Sequence, residues 1–162
     1  MTTSSVAEAR RGDAWSPRRV FAWAAAAEAI TWTLLIAGMV LKYVTKTTEL
    51  GVRIGGGLHG FVFLAFVATV LAVALDGRWG VGRTVLGLAS AIVPWATIPF
   101  ERWADGKALL AHRWRLLREE PRGALEKVLA AGLRRPVGAL LLVMGLLVVV
   151  FGVLLLLGPP GA

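Results

Sequence analysis

The chain has no cysteine, one tyrosine, two histidines and only ten acidic residues in 162. Without cysteine there is no disulfide, no thiolate metal site and no Cys nucleophile. The two histidines, His59 and His112, lie in different stretches and do not make a metal coordination set. Charge is scarce altogether: 17% of residues are charged against 57% apolar, with a mean hydropathy of +0.69. Soluble domains carry about 25% charged residues, and a chain this short could not bury so large an apolar excess. The composition is that of a membrane protein. It contains no Gly-x-Ser-x-Gly, no phosphate loop and no paired-carboxylate motif, so the chain reads as non-enzymatic and without a cofactor.

What charge there is leans one way. Eighteen Lys and Arg against ten Asp and Glu give a formal net charge of +8. In a soluble protein that excess would point to nucleic acid. In a membrane protein, anionic lipid headgroups are the natural counter-charge.

Four apolar runs each approach the roughly 20 residues a helix needs to cross about 30 Å of hydrocarbon. They are Val20–Leu41 with Glu28 inside, Ile54–Leu75 with His59 inside, Val81–Phe100 with Arg83 near its start, and the uncharged Val137–Leu157. The runs are continuous and lack the period-2 alternation of strands. The expected fold is therefore an all-α, polytopic bundle of four transmembrane helices. Residues 1–19 read as a disordered basic tail rather than a signal peptide, 20–103 as a three-span unit, 104–136 as a basic segment and 137–162 as a fourth span with a short tail.

Pro94 and Pro99 complicate the third run, because Pro94 removes an internal hydrogen bond and predicts a kink near Ser90–Pro94. Ser90 and Thr97 are the local groups that could satisfy the freed backbone. In the basic segment, Leu110, Trp114 and Leu117 fall on one face of a helix that Pro121 ends. A second short helix carries Leu125, Val128, Leu129 and Gly132 on one stripe. Apolar stripes with Trp and flanking Arg suit helices lying in the membrane interface, with an ordinary solvated loop helix as the alternative.

The positive-inside rule gives two topologies. With four true spans, loops one and three share a side and place twelve basic residues against six. With the third run only re-entrant, the tail, loop two and loop three share a side, fifteen against three, and the N-terminus is inside. Four spans are expected from run length.

Ionisable groups at membrane depth are functional candidates by default. Counting about 1.5 Å of rise per residue puts Glu28 about 12 Å below one surface and Arg83 about 3 Å below the same surface. That makes Glu28–Arg83 a feasible buried pair. The same count sets His59 about 12 Å from Glu28 along the membrane normal, too far for direct contact, and level with Lys42, Glu101 and Arg102. Gly56 and Gly60 form a Gly-xxx-Gly step of the kind that lets helices approach closely. Gly138, Gly145 and Gly152 recur every seven residues and mark one face of the last span.

Five short stretches appear in order: Arg18-Arg19-Val20-Phe21 with Ala27-Glu28-Ala29, Leu41-Lys42-Tyr43, Leu58-His59-Gly60, Val93-Pro94 and Phe100-Glu101-Arg102-Trp103. Together they resemble the bacterial integral-membrane family with a His-Gly motif, domain of unknown function 3817. The resemblance covers roughly Pro17–Trp103. It implies a compact three-helix membrane unit with Glu28, Lys42, His59 and Arg102 as signature polar positions, and it implies no activity. The basic segment, the last span and Glu101, where the family commonly has Asp, depart from the family pattern.

The functional expectation is a small non-enzymatic protein of the bacterial inner membrane that associates with itself or with a larger membrane protein. Its 104–136 segment would hold anionic lipid, and nucleic acid is excluded as a partner. The alternative is a small transporter or channel subunit using Glu28 and His59.

Overall fold

The computed structural model describes residues 15–157, so most of the tail expected to be disordered lies outside the described residues. The first helix, α1 (Pro17–Met39), begins where sequence physics puts a start. Ser16 caps it by accepting from the Arg19 amide, and Pro17, which has no amide to donate, occupies the first turn. A π-helical turn, Val40–Val44, carries the helix on, making a continuous apolar rod of 28 residues. After a short loop, α2 (Leu50–Asp76) runs back for 27 residues.

Two backbone approaches hold α1 against α2. A Cβ at Gly38 would stand 2.5 Å from the Gly51 carbonyl carbon, and one at Gly55 would stand 2.9 Å from the Leu34 carbonyl oxygen. Real Cβ atoms do not sit that close, so the crossing needs hydrogen at these positions. The small-residue step that packs is Gly51–Gly55, not the expected Gly56–Gly60. A Cβ at Gly56 would meet only the Leu35 side chain at 3.7 Å, and Gly60 lies against the Phe151 ring instead.

The expected third span is not one helix. Residues 81–106 form α3 (Val81–Ser90) and α4 (Thr97–Gly106), ten residues each, separated by turns around Pro94. Each is about 15 Å long, half a bilayer core. Trp95 adopts φ 60°, a left-handed turn conformation that reverses the chain.

The two arms then return to the end from which they set out. At the tip, the Trp32 indole donates to the Ala91 carbonyl at 3.1 Å, and the Trp95 indole donates to the Thr33 hydroxyl at 2.9 Å. At the open end, Arg18 meets Asp105 at 2.6 Å, and the Trp79 indole donates to the Leu109 carbonyl at 3.2 Å. Residues 81–106 thus enter beside the start of α1 and leave beside it. This corrects four spans to three helices long and apolar enough to cross a membrane: α1 with its π turn, α2, and α6 (Pro136–Leu157). Among the described residues there is no strand.

Helix ends at this side close with Schellman turns. The Trp79 amide donates to the Ala74 carbonyl with Arg78 at φ 49°, and the Leu109 amide donates to the Ala104 carbonyl with Ala108 at φ 54°. Between them sits an aromatic core. Phe21 has its ring centroid 5.5 Å from Phe66, 6.0 Å from Phe100 and 6.1 Å from Trp79.

The basic segment also differs from expectation. Residues 107–114 are not helical, and only a 3-10 turn, Arg115–Leu117, precedes α5 (Ala124–Arg134). Leu110, Trp114 and Leu116 point into the core while Leu117 is exposed, because the stretch is anchored by its ends rather than coiled. On α5, Leu125 and Val128 are exposed, and Glu126 and Ala130 face inward.

The packing at Gly55 has a direct test. Gly55→Leu destabilises the α1–α2 pair by about 1–3 kcal/mol, the usual cost of overpacking, whereas Gly57→Leu, with nothing within 4 Å of its Cβ position, is tolerated. Thermal unfolding in mild detergent separates the two.

Candidate functional site

The register set by Gly38, Gly51 and Gly55 decides which polar groups meet. Pairing Gly38 with Gly51 and Leu34 with Gly55 puts Thr31 beside His59, and their Oγ1 and Nδ1 atoms are 3.3 Å apart. Glu28, one turn along α1, then lies with Oε2 3.7 Å from His59 Nδ1. The expected separation of about 12 Å is therefore wrong. It took Leu41 and Ile54 as level, although both helices continue past those residues toward the loop. That assumption displaces the pairing by about six residues, or about 9 Å of rise.

Glu28 is fully buried, and neither carboxyl oxygen has a hydrogen-bond partner among the described residues. The Thr31 hydroxyl donates its one proton to the Glu28 backbone carbonyl at 3.0 Å. It therefore accepts from His59, which fixes the imidazole proton on Nδ1. The indole of Trp32 packs tilted against the imidazole with ring centroids 4.3 Å apart, and the Phe63 ring lies at 6.3 Å. Thr97 donates to the Ala25 carbonyl at 3.0 Å and ties α4 to α1 one turn away.

The other expected residues are elsewhere. Arg83 is exposed on α3 and makes no ion pair with Glu28. Lys42 lies at the loop end, 3.3 Å from Glu49 and over the Tyr43 ring at 5.3 Å. Glu101 is half-buried and Arg102 exposed on α4, next to Phe100, which packs on Phe21 near the opposite end. His59 thus does not share a level with Lys42, Glu101 and Arg102. Gly138, Gly145 and Gly152 face open space, where a Cβ would touch nothing within 4 Å. Among the described residues no three His, Asp or Glu side chains gather as a metal set.

A second polar centre lies at the Arg18 end and went unread in the sequence. Asp76, almost fully buried at the end of α2, accepts the backbone amides of Arg115 and Leu116, both at 3.0 Å. Arg115 answers by donating to the Asp76 carbonyl at 2.6 Å and to Glu126 at 2.7 Å, and it also bonds Glu119 at 3.2 Å. A guanidinium on the terminal carbonyls of α2 suits the negative end of the helix dipole. The Glu126 carboxyl is held below its ordinary range, first by the Arg122 amide and then by Arg115 and Arg78, against the opposing effect of partial burial. Asp76 was missed because it is the last residue of an apolar run and looks like loop. Its partner, Arg115, is 39 residues away.

Such a chain is an all-helical membrane protein, with three crossing-length helices and a broken helical pair packed against the first two. It belongs to the family described as "Domain of unknown function (DUF3817)", whose model matches residues 18–105, from the start of α1 to the end of the returning pair. Over 87 residues, 53% of this chain, it is 51% identical to "Putative membrane protein SCO5905" of Streptomyces coelicolor (strain ATCC BAA-471 / A3(2) / M145). The matched stretch is 10% of that relative's length. No solved structure matches. Asp76 lies inside the family match, whereas Arg115, Glu119, Glu126 and α6 lie outside it.

Replacing Arg115 takes the guanidinium away from the Asp76 carbonyl and from Glu126 but keeps the two amides on the Asp76 carboxylate, so Arg115→Ala costs about 1–3 kcal/mol of stability. The contribution of Glu126 is complete at neutral pH. Because its native value is lowered, that contribution is lost only as pH falls below the ordinary 4.5, through the native value. Thermal melts from pH 7 to pH 3, with Glu126→Gln as the acid-insensitive control, check the sign.

Proposed function

We propose that the chain is a small multi-pass protein of the bacterial inner membrane, without enzymatic activity, that associates with a second copy or serves as an accessory to a larger membrane protein. The observation that carries this reading is α6. It touches the rest of the chain through Phe151 against Gly60 and Phe61 and through Ala139 against Gly132, and Gly138, Gly145 and Gly152 stand open along it at seven-residue intervals. A small-residue seam is what a second transmembrane helix packs into.

The return of residues 81–106 to the Arg18 end favours the topology in which tail, loop two and loop three share the cytoplasmic side, fifteen basic residues against three. On that side α5 offers Leu125 and Val128 outward, next to exposed Lys127 and Arg122, as an interfacial helix on anionic lipid does. The native absence of cysteine makes both points testable in one series. Trp15→Cys and Lys107→Cys label from the same side and Thr47→Cys from the other. Gly145→Cys forms a disulfide-linked dimer or one recurrent larger adduct. Labelling of Trp15→Cys and Lys107→Cys from opposite sides restores four spans, and a strictly monomeric Gly145→Cys removes the association.

One observation favours a second reading, a small transporter or channel subunit: Glu28 and His59 are in contact beside the tip of the broken helical pair. It predicts proton or solute flux in proteoliposomes that His59→Ala abolishes. Absence of flux under any imposed gradient ends that reading.

A further inference from the structure

Glu28 is the one side chain whose polar atoms are fully buried and left without a partner among the described residues. An isolated carboxylate in so apolar a setting is strongly disfavoured and takes up a proton instead. The groups around it leave few other ways to neutralise it. On its own helix, Thr31 has already committed its hydroxyl proton to the Glu28 carbonyl. From α2 the titratable group that faces it is His59, at 3.7 Å, outside hydrogen-bond reach. From α4 the facing polar group is Thr97, committed to Ala25, while Glu101 and Arg102 lie a turn or more further on, toward Asp105. Arg83 on α3 and Arg53 on α2 are exposed. Lys42 is engaged with Glu49 near the loop.

We propose that Glu28 and His59 form a one-proton binding site inside the membrane-spanning pair, with the proton on the Glu28 carboxyl and His59 neutral beside it. The site is electrically neutral in this state. Adding a second proton or removing the first would leave a net charge in the apolar interior, so the single-proton form is the stable one. The proton stays within the pair without any metal or further acid. His59 keeps its Nδ1 proton on Thr31, so the ring nitrogen that approaches Glu28 already carries a hydrogen and leaves the acid proton on the carboxyl. Trp32 links the site to the broken pair. Its ring packs on His59 with centroids 4.3 Å apart while its indole nitrogen donates to the Ala91 carbonyl at the tip.

This proposal deepens the second reading by naming the ligand as a proton, but binding is separate from transport. A protein that binds the proton and conducts nothing fails only the second reading. The deciding measurement is infrared spectroscopy of the purified full chain in lipid vesicles at neutral pH. The carbonyl stretch of a protonated carboxylic acid is compared with that of Glu28→Gln and His59→Phe. The expected result is a band worth one carboxyl that Glu28→Gln loses and His59→Phe retains. Gln is neutral and close in shape to the protonated acid, so Glu28→Gln should fold. Should it not, retention of the band in His59→Phe decides the matter on its own. A wild-type spectrum without the acid band, with the band arising only when His59 becomes Phe, would show a Glu28 carboxylate paired with imidazolium. That outcome overturns the proposal.

Discussion

The backbones of α1 and α2 touch at Gly38, Gly51 and Gly55, and the level of every polar side chain in the pair follows from that contact. Helices held apart by ordinary side chains can slide by a residue or a turn at small cost. Helices whose carbonyls lie against a partner's Cα cannot, because the displaced position would put a Cβ into backbone. The register is therefore fixed by atoms that carry no charge and do no chemistry. It is nonetheless what brings His59 to Thr31 and Glu28.

The break at Pro94 depends on the same pair. Two ten-residue helices cannot span a bilayer, and a broken backbone in lipid survives only when another part of the protein satisfies it. Here α1 does so at the Ala91 carbonyl, and two side chains of the pair bond back to it. Trp32 donates to Ala91, Thr33 accepts from Trp95 and Ala25 accepts from Thr97, so one face of α1 holds the tip and the first turn of α4. Trp32 lies between the two features, with its ring on His59 and its nitrogen on the tip. The buried carboxyl and the broken pair are one structural unit, which is the part of the chain that the family match covers.

Much of this was legible in the sequence, for reasons that differ from residue to residue. The three long helices were readable because an apolar run of 20 or more residues has few alternatives in lipid. The weakness at Ser90–Pro94 was readable because proline removes a specific hydrogen bond. Whether the chain kinks or turns back there was not, since that depends on Trp32 and Thr33, some 60 residues earlier. The seam was misassigned for a related reason. Gly51–Gly55 and Gly56–Gly60 have identical spacing, and only the direction each face takes relative to α1 tells them apart. Polar depth failed because it was counted from charged residues taken as membrane edges, whereas the helices run past them to Val44 and from Leu50.

The ion network at the Arg18 end completes the physical picture. A helix that ends in Asp76 places a negative charge at the negative end of its dipole, an arrangement unfavourable by itself. Arg115 reverses that by donating to the terminal carbonyl, while the Arg115 and Leu116 amides occupy the carboxylate. The α2 terminus thereby anchors the non-helical stretch after α4 and, through Glu126, the start of α5. That anchoring explains why α5 turns Glu126 inward and Leu125 and Val128 outward. A salt-bridged face needs the interior of the network, so the apolar face is left for the surroundings. The same polarity that secures the end of α2 therefore sets which side of α5 is left exposed, and from its end at Arg134 the chain passes directly into α6.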